Sequence, residues 1–433
     1  MPDGVLFRAV RLVDPASGHD GVTDVLVRDE TIADVGSGLA ASGAEVVEED
    51  GLVLAPGLVD LHAHLREPGF EHKETIETGS RAAAAGGYTA VCAMPNTDPV
   101  TDNAAVVSEV RTLADKAGLC DVVPAGAITR GQRGETLADI GEMVEGGVRL
   151  FTDDGNCVGS SRVMRLALEY AKAFDAIICQ HAQDEELTRG WQAHEGHYSA
   201  LLGLAGAPAE AEEIVVARDL ALARLTGGRL HVTHVSSSRS VELIAAAKAA
   251  GVRVTADVTP HHLVLLDEDL VGFDTNFRIN PPLRPVEHRD ALRAGLASGA
   301  IDAVATDHAP HAPEEKQREF DQAPAGTTGL ETALAAILTH LVEPGVIDLA
   351  AAVDRLSVRP AAILGLGEHG GPVAPGRPAN LVAFDPAAEW VVGERPVRSM
   401  ATNSAFTGRA LRGAVRYTML RGAFTVRAGE PQA

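Results

Sequence analysis

Five short segments of this chain of 433 residues end in side chains that can hold metal ions or move protons. In "DLHAHLREPG", His62 and His64 stand one residue apart, behind an apolar run and ahead of an Arg-Glu-Pro-Gly turn. Residues i and i+2 of a strand share a face, so both imidazoles should project together, with Arg66 just beyond them. Asp153 and Asp154 close "VRLFTDD", His181 closes "AIICQHA", and His234 lies in "RLHVTHV". Asp307 lies in "IDAVATDHAP" and is followed by His308 and His311. Imidazole and carboxylate are good ligands for divalent transition ions. Four histidines with one or two carboxylates exceed what one tetrahedral ion needs, and are enough for two ions sharing a bridge. Each piece alone is weak, since a lone HxH is more often incidental and Asp-Asp-Gly reads as a turn. Together they make a strong set.

Asp307 is assigned two roles, metal contact and proton carrier. A bound metal lowers the pKa of a coordinated water toward about 7. A carboxylate beside that water can take its proton and pass it to a leaving nitrogen. Arg66 can pair a carboxylate bidentately. Asn96 in "MPNTDP", Asn280 in "INPPLR" and His311 add polar groups to the same rim, and "APAGTTGLE" adds a glycine-bearing loop. As a group they suggest a small ligand with a carboxylate and amide edges. His261 and His262 in "TPHHL" are read as supporting or structural.

Something must bring these segments to one place. Short apolar, β-rich runs alternate with helical patterns, which signals βα units and a parallel sheet. The strand candidates are 55–62, 88–95, 121–128, 148–154, 176–182, 229–235, 252–258 and 301–310. Helical candidates lie between them at 74–86, 102–117, 136–146, 160–174, 209–225, 238–250 and 287–298, with 330–342 after the last strand. Eight such pairs predict an α/β fold, a (β/α)8 TIM-type barrel whose active site lies at the carboxyl ends of its strands. A doubly wound open sheet is the alternative, and the strand-end polar residues favour the barrel. Residues 1–54 and 366–433 instead read as short strands and turns, and are expected to pair into one small β-domain around a metal-dependent barrel at 55–365.

Composition narrows the partners. With 60 acidic against 37 basic residues, nonspecific binding to nucleic acid or to an anionic membrane surface is not expected. The four cysteines, Cys92, Cys120, Cys157 and Cys179, form no zinc-site spacing, and two sit in apolar runs as small buried hydrophobes. The first residues lack the pattern of a signal peptide, and no apolar run approaches a membrane span, so a cytoplasmic location is expected.

The segments "DLHAHLREPG", "KETIETG", "MPNTDP", "FTDDG", "VTPHHL", "NPPLRP" and "VATDHAPH", with the following "EK", together resemble class I bacterial dihydroorotases of the amidohydrolase superfamily. The resemblance covers nearly the whole chain. It implies that His62, His64, Asp154, His181 and His234 bind zinc, one or two ions with two favoured, and that Asp307 is both metal contact and catalytic group. It further implies that His64, Arg66, Asn96, Asn280, His311 and the Ala325–Gly326 backbone hold the substrate; the family loop usually carries phenylalanine where Ala325 stands. Many relatives bridge their metals with a carbamylated lysine at the end of strand four. Here Asp154 takes that place, and Lys116 and Lys172 fall in the flanking helical segments. The implied reaction is reversible, zinc-dependent hydrolysis of dihydroorotate to N-carbamoyl-L-aspartate in pyrimidine biosynthesis, independent of bicarbonate. A homodimer and association with an aspartate transcarbamoylase are also implied. The alternatives are a hydantoinase or allantoinase and a non-catalytic scaffold subunit of a transcarbamoylase assembly. The scaffold lacks metal ligands in such relatives, whereas this chain keeps them all.

Overall fold

The computed structural model describes residues 3–41 and 43–432. Eight parallel strands form a barrel: Leu58–Ala63, Tyr88–Ala93, Asp121–Pro124, Leu150–Phe151, Ile177–Gln180, Arg229–Val232, Val254–Val258 and Ala303–Val304. They make a three-stranded and a five-stranded ladder. Bridges from Ala63 to His308 and from Gly126 to Phe151 close the ring. Each strand falls within or beside a run expected from sequence. Strands four and eight are shorter than their apolar runs, because the chain leaves the ladder early and continues as irregular backbone toward the site.

Local chemistry places the helices between them. Thr75 and Thr78 form a reciprocal cap that starts the alanine-rich helix Ile76–Ala85. Asn103 caps Ala104–Ala117, Ser160 caps Ser161–Ala171 and Ser237 caps Ser238–Ala249. The buried faces of these helices join the outer strand faces in the largest apolar cluster. Val59, Leu61, Ala90, Cys92, Leu150, Ile177, Cys179 and Ala303 fill the barrel interior. All four cysteines are buried and free.

The first barrel strand carries the feature on which the site depends. Val59 and Leu61 point into the barrel. Between Asp60 and Ala63 the pairing register with the next strand shifts. Within that shift and just past it, His62 and His64 take over the inward direction, as irregularities at strand ends commonly re-aim side chains.

Both ends of the chain build one further sheet. Its order runs Glu430–Pro431, Ala423–Arg427, Ala410–Leu420, Leu381–Val391, Val53–Pro56, Val5–Asp14, His19–Arg28 and Thr31–Gly36, with Glu45–Val47 beside Val5–Asp14. The two termini meet where Val53–Pro56 pairs antiparallel with Leu381–Val391. That strand passes through Gly57 directly into the barrel, so sheet and barrel share one continuous chain segment. Phe7 packs edge-on against Tyr417 and Phe424 at its core, with centroids 6.2 and 6.3 Å away, and those two rings lie tilted to each other at 5.5 Å.

Candidate active site and metal centre

The barrel mouth brings His62, His64, Asp154, His181, His234 and Asp307 into direct contact, all of them buried. Asp154 is the centre. Its Oδ2 lies 3.2 Å from His62 Nε2 and 3.5 Å from His64 Nε2. Its Oδ1 lies 3.2 Å from both His181 Nδ1 and His234 Nε2. One carboxylate thus faces two histidine pairs, with one oxygen toward each, and the two ligand triads share it. Asp307 Oδ1 completes one side, 3.2 Å from His64 Nε2 and 3.5 Å from His62 Nε2.

The outer ring nitrogens are already engaged. His62 Nδ1 meets Thr233 Oγ1 at 2.8 Å, His64 Nδ1 meets Asn96 Oδ1 at 2.9 Å, and His181 Nε2 meets Gln183 Oε1 at 3.0 Å. Donation outward leaves lone pairs on the nitrogens that face inward, where His62 and His64 are 3.3 Å apart and His181 and His234 2.9 Å. Facing lone pairs repel, and a divalent cation between them removes the conflict. The donor set of imidazole and carboxylate, oriented by outer hydrogen bonds, therefore fits a bound transition metal.

Electrostatics agree. Burial alone would lower the pKa of His62, but Asp154 and Asp307 outweigh it and push it up to about 10. Burial opposes ionisation of Asp154, yet the surrounding histidines hold its carboxyl well below the usual range. Asp307 is depressed likewise, with His62 and His64 overcoming its burial. Without an ion, a proton on His62 Nε2 takes the place of the cation, and the same negative charges that hold that proton would hold a metal. Arg66 (φ 65°), His234 (φ 37°) and Asp307 (φ 45°) all adopt left-handed backbone. For residues with a Cβ this costs about 1–3 kcal/mol each, and such strain concentrates where side chains must be aimed.

The rim residues arrive by different routes. Arg66 is buried beside Asp307, its guanidinium pulled down to about 10 by burial, and its Nε donates to Pro310 O at 3.1 Å. Asn96 holds His64, and Asn280 Nδ2 lies 3.3 Å from His181 Nε2. His311 Nε2 donates to the Ala325 carbonyl at 2.9 Å, while the Gly326 N–H donates to Arg278 O at 2.8 Å. These loop groups thus contact one another around the mouth. Gly326 has φ 141°, and a Cβ there would fall 2.8 Å from Ala309 Cβ and 2.9 Å from His311 Nε2. No side chain fits. Asp153 does not face this cluster: its carboxylate accepts from the Thr129 N–H and hydroxyl. His262 bonds Thr259 and the Pro281 carbonyl, which supports the Asn280 turn.

Sequence reading missed several supporting groups. Buried Asp257 accepts from His231 Nε2 at 2.8 Å, from the Thr233 hydroxyl at 3.1 Å and from the His234 N–H at 2.7 Å. Asp60, raised to about 6 by burial, accepts from the Thr306 N–H and hydroxyl, tying strand one to strand eight below Asp307. A signal was available, since parallel barrel strands should read as apolar throughout and each acid interrupts one. Asn403, which braces the rim loop, left no such trace, and Lys316 entered only as part of the "EK" segment.

The comparisons follow this geometry. A family model described as Dihydro-orotase-like matches residues 51–240. The dihydroorotase of Streptomyces coelicolor is 50% identical over 405 residues, covering 93% of this chain and 95% of its own. The chain belongs to the dihydroorotase family. The dihydroorotase of Mycobacterium leprae is 48% identical over 426 residues, covering 98% of both chains. Among solved structures, the L-hydantoinase (dihydropyrimidinase) of Arthrobacter aurescens matches 100% of this chain and 98% of its own with TM-score 0.89 at 26% identity. This family member therefore has an amidohydrolase-type barrel, and in it the position between the two triads is held by the carboxylate of Asp154. Among the described residues, no helix is long and apolar enough to cross a membrane.

Proposed function

We propose that this protein catalyses the reversible hydrolysis of (S)-dihydroorotate to N-carbamoyl-L-aspartate, the third step of pyrimidine biosynthesis, at a zinc centre of two ions. The observation that carries this reading is the shared Asp154, one oxygen toward each histidine pair, with Asp307 against the first pair. The family membership of the chain supports the substrate. His62, His64, Asp154, His181 and His234 would hold the ions, with Asp307 touching one of them. When bound, they would polarise the ring carbonyl and make water acidic enough to attack at neutral pH.

The chain's own groups do the rest. Arg66 presents a buried guanidinium for the substrate carboxylate, while Asn96, Asn280, His311 and the Ala325–Gly326 backbone frame the ring. Asp307 accepts the proton of the attacking water and delivers it to the ring nitrogen as the C–N bond breaks and the new C–O bond forms. As an aspartate it is ionised at neutral pH and so can take that proton. The product gains a carboxylate and a proton is released, so cyclisation gains on hydrolysis as pH falls.

In this reading residues 55–365 form the catalytic barrel, and 1–54 with 366–433 the small domain, in a cytoplasmic protein. A homodimer, with or without an aspartate transcarbamoylase, is the assembly we propose. Sedimentation of the purified chain, alone and mixed with that partner, tests it.

The deciding experiment follows dihydroorotate and N-carbamoyl-L-aspartate in both directions on zinc-loaded protein, with Asp307→Asn beside it. Wild-type turnover that needs no bicarbonate is expected, with a loss of at least about a thousandfold in the variant at retained metal content. Wild-type protein that binds metal but leaves dihydroorotate untouched, with and without the partner, would overturn the reading.

A further inference from the structure

The loop from Ala309 to Gly326 is held by a residue that lies outside the barrel strands and their loops. Asn403 belongs to the stretch between Leu381–Val391 and Ala410–Leu420 of the small sheet. The residue is 5% exposed. Oδ1 accepts the His311 N–H at 3.0 Å. Nδ2 donates to the carbonyls of Ala309 and Gly326, each at 3.1 Å. The Asn403 carbonyl also accepts the Thr328 N–H at 3.0 Å.

The amide oxygen accepts one hydrogen bond and the amide nitrogen donates two. The partners also decide which way it faces: one N–H must meet oxygen, and two carbonyls must meet nitrogen. No other side-chain type of this size offers one acceptor and two donors in that arrangement. An aspartate would set negative oxygen against two carbonyls, and an alanine would leave the His311 N–H and the Ala309 carbonyl without partners and the Gly326 carbonyl with Lys316 alone.

Asn403 itself sits on a braced segment. Glu74, fully buried, accepts the Met400 N–H at 3.1 Å and the Ser399 hydroxyl, and faces His308 Nε2 at 3.4 Å. His308 directly follows Asp307 in the chain. Within the loop, Lys316 Nζ reaches the Gly326 carbonyl at 3.0 Å, so that carbonyl is held from two sides.

We propose that Asn403 is a positioning residue for substrate recognition. It fixes His311 and Gly326 relative to one another, and so sets the width of the frame that receives the substrate, without touching the reacting atoms. This rests on the reading above, in which His311 and the Ala325–Gly326 backbone hold the substrate. The small domain thereby supplies part of the specificity of the barrel.

The test compares Asn403→Ala and Asn403→Asp with Thr327→Val in zinc-loaded protein. Thr327 Oγ1 accepts the Ala405 N–H at 2.8 Å, a tie between the same two segments that bypasses the frame. Both Asn403 variants are expected to raise KM for dihydroorotate at least tenfold with kcat within about threefold and metal content unchanged. Amide hydrogen exchange should accelerate at His311 in both. Thr327→Val should lower Tm but leave KM in place. Unchanged KM in the Asn403 variants, or kcat lost in step with Tm and metal content in all three variants, would reduce Asn403 to a structural tie and overturn the proposal. Should Asn403→Ala fail to fold, the isosteric Asn403→Asp carries the same comparison. Absence of dihydroorotate turnover in the wild type would sink the functional reading itself, whereas wild-type turnover with an unaltered KM in the variants sinks only this inference.

Discussion

At the scale of single residues, the site is governed by what stands behind the ligands. Thr233 Oγ1 accepts a hydrogen bond from His62 Nδ1 and donates its own to Asp257, which also accepts the His234 N–H. One buried carboxylate therefore aims a histidine of each pair. Thr233→Val keeps the shape and deletes the relay. Metal affinity should fall about 10- to 100-fold, the usual cost of losing such a partner. Competition with a chelator of known affinity measures it, and wild-type retention of metal would show that His62 is aimed by packing alone. Asp154 gives a sharper contrast. Its replacement by alanine removes a ligand from both triads, while His234→Ala removes one from a single triad. On the proposed two-ion centre, elemental analysis should find both positions weakened in the first variant and one in the second.

At the scale of elements, the rim loop is the part whose order depends most on a few polar contacts. The short helix Pro313–Lys316 ends in a lysine buried by the returning chain. Burial, helped by nearby Arg278, pushes the Lys316 ammonium down to about 7 from its usual 10.5. Its Nζ donates to the carbonyls of Pro324 at 2.9 Å and Gly326 at 3.0 Å, which a neutral amine can also do. Above about pH 7 the folded protein releases this proton, while the unfolded chain holds it up to its ordinary pKa. The stability linked to Lys316 is therefore full above 10.5 and lost as pH falls through about 7. Denaturant melts between pH 7 and 9 should show the wild type gaining on Lys316→Met by at most about 1.4 kcal/mol per pH unit. Parallel curves for the two proteins would mean that the lysine keeps its proton throughout.

At the scale of the whole molecule, barrel and small sheet act as one body because charged and close-packed contacts join them beside the shared strand. Asp121, at the start of the third barrel strand, accepts from Arg421 of the small sheet at 2.7 Å and meets His369 Nε2 at 2.9 Å. Burial opposes its ionisation, but His369 and Arg421 hold its carboxyl down to about 2. Its contribution is present above the ordinary aspartate pKa and is lost as pH falls through about 2. Asp121→Asn should therefore lower Tm at pH 7, by a difference that shrinks as the pH approaches 3; a constant difference would assign the effect to shape. The barrel, its eight strand positions and the residues that meet at its mouth were legible in the sequence because they rest on local rules: apolar runs, alternation, caps, and polar groups placed where strands end. Asp154 was legible for the same reason, although Asp153 beside it carries the same chemistry and only the fold turned that one toward Thr129. The register shift that aims His62 and His64, the Asp257 relay and the Asn403 clamp were not legible. Each joins residues far apart in the chain through directional hydrogen bonds, and no composition or periodicity records which buried donor meets which acceptor. Sequence alone determined which groups could do the chemistry. Tertiary structure decided which of them face one another, because that depends on closing the barrel and on folding the chain's end back over its mouth.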